Sequence, residues 1–134
     1  LCDLHVQLPP MISVSEGHRI SEAAHARVLS EHPEVLDVLV HVDPEDDLEP
    51  DLAAMRLPGR ETLLPLLQPL LADLPPPERV VLHYLGGQVE VDLYFAQSSL
   101  ACAGALSEAE ARLAGRLDEL PMVRALRLNC VSAP

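Results

Sequence analysis

Tryptophan is absent from this 134-residue chain, and Tyr84, Tyr94 and Phe95 are its only aromatic side chains. Three rings do not make a stacking platform for bases, which argues against nucleic acid as a partner. The core must instead be aliphatic, built from Leu, Val and Ala. Basic residues are also scarce: nine against twenty-one acidic ones, a formal net charge of −12. Such a surface repels phosphate backbones and anionic membranes and suits cations. No Cys-x-x-Cys spacing occurs. Cys2, Cys102 and Cys130 are an odd set, which fits a reducing compartment and three buried structural thiols better than a disulfide framework. No apolar run reaches the roughly 18 to 20 residues that cross a bilayer. The richest stretch, "ETLLPLLQPLLADLPPP", is interrupted by Pro65 and Pro69. The opening "LCDLHVQL" has neither an initiator Met nor a basic start, so the chain is expected to begin within a longer protein.

What is present is a regular alternation of patterns. Residues 2–8 alternate, with Leu4, Val6 and Leu8 on one side and Asp3, His5 and Gln7 on the other, as in a half-buried strand. Pro9 and Pro10 stop it. A helix follows to about residue 32, with Ser15 as its N-cap, Ile20, Ala24 and Val28 as its apolar stripe, and Pro33 as its barrier. His18, His25 and His32 recur every seven residues, roughly opposite that stripe. Residues 35–43 read as a second strand, with Leu36, Val38, Val40 and Val42 inward and Asp37, Leu39, His41 and Asp43 outward.

The rest says nearly the same again. An acidic, Pro-containing stretch over 47–59 reads as a linker. A helix over 60–74 survives its prolines and ends at "PPP". "RVVLHYLGGQVEVDLYFA" is a hairpin turning at Gly86-Gly87, because a tight primed turn needs positive φ. "LSEAEARLAGRLDELP" is an amphipathic helix with Ser107 as N-cap, and "VRALRLNCV" closes as a strand. Strand, helix with "SEA", proline and strand therefore occur twice. The expected fold is α+β and ferredoxin-like, as two tandem units: residues 1–46, lacking an opening helix and strand, and residues 60–134, complete. In each, helices cover one sheet face and leave the other open.

The strand "VLVHVDPEDD" ends in His41 and Asp43, two residues apart and so about 7 Å apart on one face. His5 lies on the polar face of the other strand, and His18 opens the helix between them. Three imidazoles and a carboxylate form a borderline-hard donor set, suited to Zn²⁺ and also to Co²⁺, Mn²⁺ or Fe²⁺. His25 and His32 read as a solvated helix face. His83 reads as a surface or core residue rather than a ligand.

The stretch "DLHVQLPPMISVSEGHRISEAAHARVLSEHPEVLDVLVHVDP", residues 3–44, resembles the cytoplasmic C-terminal domain of cation diffusion facilitator transporters. Its strand with a histidine, its "EGH" opening to the helix and its terminal "HVDP" carry that resemblance together. What the resemblance implies is a divalent-metal efflux transporter, often for zinc, that exchanges metal for protons. It also implies a metallochaperone-like domain that dimerises and binds regulatory metal near the dimer interface. On this resemblance the metal positions are His5, His18, His41 and Asp43. A further family histidine, in an "HDLR"-type strand just before, has no counterpart here. In the second half the equivalent positions are Tyr94, about Leu106, Asn129 and Val131, so the fold pattern persists without the ligands.

The expected function is therefore a non-catalytic regulatory and dimerisation domain, on the cytoplasmic side of a metal exporter in the cell membrane. Its expected partners are divalent metal ions, a second copy, and an upstream transmembrane domain of the same protein. The alternative is a soluble metallochaperone, or a metal or small-ligand sensor of the same fold. A metal-dependent hydrolase is disfavoured, since nothing supplies a general base beside an open metal site.

Overall fold

A computed structural model describes residues 1–46, 52, 54–99 and 103–132. The chain divides into two compact units, Leu1–Pro50 and Asp51–Pro134. Of the expected 47–59 linker, residues 47–51 and 53 lie outside the described residues, as does Cys102. Residues Ala54–Arg56 form a 3-10 turn, and the adjacent Leu57 packs on the core of the second unit.

The first unit runs β1 (Cys2–Gln7), α1 (Val14–Glu31), β2 (Val38–Asp43). The two strands are parallel, with His5 directly opposite His41 and Gln7 opposite Asp43. The helix is the crossover that parallel pairing requires. Its N-cap is Ser13, not Ser15: the Ser13 hydroxyl accepts the Glu16 amide at 3.2 Å. Ser13-x-x-Glu16 has the capping-box spacing, which leaves Ser15 inside the first turn. At the other end the His32 amide donates to Val28 O, and Pro33 then bars continuation. The second strand starts at Val38 rather than residue 35. The Val35 amide donates to His32 O in a turn, and Leu36, read as inward, is 89 % exposed.

Gly17 is the buried residue of α1. A Cβ there would meet Leu8, Ile12 and Val42 at 3.7 to 3.8 Å, so the helix lies on the face that carries Val42. By strand alternation Asp3, His5, Gln7, Leu39, His41 and Asp43 share the opposite face. Among the described residues of this unit, Val38 is the one buried hydrophobic side chain.

The second unit is α2 (Arg60–Leu67), β3 (Arg79–Leu85), β4 (Gln88–Ala96), α3 (Ala103–Ala114) and β5 (Val123–Val131). Its sheet order is β3-β4-β5, antiparallel at β3/β4 and parallel at β4/β5. The helix expected over 60–74 is α-helical only to Leu67 and continues as a 3-10 turn over Gln68–Leu71. Pro69 has no N–H for the i−4 carbonyl, and its ring crowds that carbonyl. Ser107 is not an N-cap; it sits inside α3, which begins earlier. Gly86 and Gly87 have φ of 57° and 69°, the left-handed pair that a two-residue primed turn needs. Leu63 and Leu67 of α2, Leu113 of α3, and Val89, Val91, Leu93 and Phe95 of β4 are fully buried together. Each such side chain contributes about 1.5 to 3 kcal/mol.

The content is mixed α+β, compatible with a ferredoxin-like arrangement. No described helix is long and apolar enough to cross a membrane. Cys2 is half-buried and Cys130 exposed, which corrects the expectation of buried thiols: Cys130 lies on the edge strand β5.

Candidate metal centre

Parallel pairing puts two imidazoles side by side. The rings of His5 and His41 stack with centroids 4.6 Å apart and planes 12° from parallel. Each ring reaches diagonally to a carboxylate on the other strand. His5 Nδ1 lies 2.7 Å from Asp43 Oδ2, and His41 Nε2 lies 3.1 Å from Asp3 Oδ1. Four side chains thus form a compact square on the face away from α1.

Within it, Asp3, His5 and His41 each offer one ligand atom, all within 4.8 Å of one another. In a tetrahedral zinc site neighbouring ligands stand about 3.3 Å apart. The His41 to Asp3 distance, 3.1 Å, is close to that value. An ionised carboxylate only accepts hydrogen bonds. His5 therefore donates from Nδ1 to Asp43, which places the basic lone pair of the neutral ring on Nε2. That is the carboxylate–histidine–metal arrangement in which an outer carboxylate fixes tautomer and ring orientation. At the other corner His41 Nε2 and Asp3 Oδ1 face each other at ion-pair distance. An ion seated between those two atoms would need the lone pair of that nitrogen. Metal and proton compete for one place.

The square is open to solvent. His5 and His41 are nearly half exposed, Asp3 more so, and Asp43 is 18 % exposed. Three protein donors on an open face leave room for water or another donor to complete the coordination.

The residues read from the sequence are placed as follows. His5, His41 and Asp43 come together. His18 does not join them: it lies on α1 and, with Val40 and Val42, lines a cavity of about 450 Å³ on the helix-covered side. The strand alternation that aims His41 one way aims Val40 and Val42 the other. Asp3 was missed as a candidate, although its parity with His5 was visible in "CDLHVQ". What the sequence could not show was the register that brings it beside His41.

The other histidines are occupied locally. His25 is half-buried beside Val38 and Val40, with Nε2 3.3 Å from Asp37 Oδ1, rather than on a fully solvated face. His32 contacts Glu34 at 3.2 Å. The Asp37 carboxyl is held below the usual range, first by the Val38 amide and then by His25. His83, in the second unit, lies on the face of the sheet away from the helices and contacts Asp92 Oδ2 at 2.8 Å.

Comparison with known proteins addresses the first unit. A family model described as "Cation efflux protein, cytoplasmic domain" matches residues 1–45. Metal tolerance protein C1 of Arabidopsis thaliana is 38 % identical over 42 residues. That match covers 31 % of this chain and 9 % of the relative's length. No solved structure matches.

Proposed function

We propose that the first unit binds a divalent cation on the open face of β1 and β2, as the regulatory and dimerisation part of a cation efflux transporter. Asp3, His5 and His41 hold the ion, and Asp43 orients His5. The observation that carries this is the pair of crossed His–carboxylate contacts on stacked rings. The family match over residues 1–45 supports the transporter setting. A bound ion would supply positive charge to an acidic face, and Asp3, His5, His41 and Asp43 would hold and orient it. Zinc suits this nitrogen and oxygen set best, with cobalt, manganese and iron(II) as competitors.

In this reading the parent protein sits in the cell membrane with this domain on its cytoplasmic side, and a second copy supplies the partner surface. The thin core of the first unit supports a partner, because a single helix on two strands buries little. Residues 60–134 form a second, degenerate repeat: β4, α3 and β5 follow the order of β1, α1 and β2, with Tyr94 and Asn129 where His5 and His41 stand. No catalysis is proposed.

The openness of the ligands also suits handing an ion over, which is the metallochaperone reading. The upstream reading frame separates the two: encoded transmembrane spans support the exporter, and a soluble domain supports the carrier. The ion itself is tested by calorimetric titration of the chain with zinc. Binding of one ion, lost in Asp3→Ala and His41→Ala, is expected; equal affinity in both variants would refute this site.

A further inference from the structure

Strand β2 pairs with β1 on one side, and among the described residues no strand lies on the other. Asp37 O and Asp43 O accept the Cys2 and Leu8 amides on the β1 side. Backbone polar groups alternate sides along a strand, so Val38, Val40 and Val42 turn theirs to the free edge. The Val38 amide is closed off by Asp37 Oδ1 at 2.9 Å. No described group guards Val40 or Val42. In the second unit the same edge is sealed in its middle. Leu128 of β5 holds the position of Val40, and its amide donates to Glu110 Oε2 at 3.0 Å.

The space beside the β2 edge is shaped as well as open. The cavity of about 450 Å³ lined by Val40, Val42, Gly17 and His18 adjoins one of about 190 Å³ lined by Val38, Glu22 and His25. Ser21 and Val40 line both, so a groove with a valine floor follows β2 on its helix side. On the other face Leu39 is more than half exposed. A strand added at this edge places alternate side chains in the groove and against Leu39. Charge then selects the occupant. Glu34 and Asp37 precede β2, Glu45 and Asp46 follow it, and Pro44 ends its pairing. A second copy laid antiparallel on this edge sets acid against acid. A segment with basic ends meets acid at both.

We propose that the free edge of β2 is a strand-addition site for an extended segment of another protein, aliphatic at alternate positions and basic at both ends. Main-chain hydrogen bonds to Val40 and Val42 give the affinity, and the groove gives the register. The site does not depend on the metal reading, because its hydrogen-bonding groups point away from β1. It also accounts for an edge left unguarded, which proteins ordinarily blunt or cover.

The test titrates the whole chain, in chelator, with the synthetic peptide Lys-Arg-Val-Thr-Val-Thr-Val-Arg-Lys and reads affinity together with amide exchange. Slowed exchange at Val40 and Val42, with Leu128 unchanged, is expected. Replacing the basic ends of the peptide by glutamate should weaken binding about tenfold or more at low salt. Val42→Pro removes an outward amide without touching a bond to β1 and should abolish binding. Should that variant not fold, the charges decide: Glu34→Lys with Asp46→Lys should reverse the preference between the two peptides. Saturation that leaves Val40 and Val42 exchanging as before overturns the proposal, and so does equal affinity for both peptides. Protection of the two amides in the chain alone, rising with its concentration, makes a second copy the occupant and overturns it as well.

Discussion

The imidazole of His5 lies flat against that of His41, at 4.6 Å and 12°. Two stacked rings tolerate each other when neutral and repel when both are protonated. Each has a carboxylate across the strand pair, Asp43 for one and Asp3 for the other. The arrangement gathers two imidazoles and two carboxylates on one open face.

Substitutions should therefore divide by position. Asp43→Ala, which removes the group orienting His5, is expected to weaken zinc binding about 10- to 100-fold, the usual cost of an outer-shell partner. His41→Ala and His5→Ala should cost more than that, and His18→Ala should cost nothing. Calorimetric titrations at neutral pH check the ranking. A loss in Asp43→Ala equal to that in His41→Ala would make Asp43 a direct ligand.

Affinity should fall with pH. Metal needs a free lone pair on one ring nitrogen of each histidine, so binding weakens as pH drops through about 6 to 7, where imidazoles in general take up protons. Proton release on zinc addition, measured in buffers of different ionisation enthalpy, should be near zero where the rings are neutral, because a neutral imidazole keeps its one proton on the nitrogen that does not ligate. It should grow toward pH 6. Binding that is flat from pH 8 to 5 would point to carboxylates alone.

Gly17→Ala should stabilise the first unit. A methyl at this position meets Leu8, Ile12 and Val42 at ordinary van der Waals distance. Alanine also gains up to about 1 kcal/mol over glycine inside a helix. Urea unfolding followed at α1 should show a raised midpoint. A lowered one would mean that the helix sits closer to β2 than these contacts allow.

The second unit should lose stability in acid. Hydrogen bonds from Arg124 and then Arg127 hold Glu90 below the usual carboxylate range. Burial pushes Asp92 up, but the bonds from Arg127 and His83 outweigh it and leave it lowered. Lowered carboxyl pKa values mean that the unfolded chain binds more protons. The stabilisation is thus complete above the unfolded values, near 4, and disappears as pH falls through the folded ones. Arg127→Leu should cost about 1 to 3 kcal/mol at pH 7, because it leaves a shielded carboxylate without its partner. Urea midpoints between pH 7 and 3 check both statements.

Much of this was legible in the sequence where a pattern is local. Alternation in "DLHVQL" and "VRALRLNC" gave strands, and Gly86-Gly87 gave a turn that only such residues make cheaply. Ser13 against Ser15 was not decided by composition, since either hydroxyl can cap; the reach to the Glu16 amide decided it. Leu36 looked inward by parity, but parity has meaning only inside a strand, and the turn at His32 delays the strand to Val38. That His5, His41 and Asp43 share one face followed from strand parity; their role as ligands is the proposal. Asp3 and the distance of His18 depend on which face the helix covers and on pairing register. Those are tertiary facts.

The most direct measurement is a nitrogen-detected NMR experiment on the histidine rings of the intact chain, recorded as zinc is added. The expected result is large shifts at the ring nitrogens of His5 and His41 up to one equivalent, with His18, His25, His32 and His83 unmoved. Shifts at His18 or at the other helix histidines, with His5 and His41 unchanged, would contradict the proposed centre.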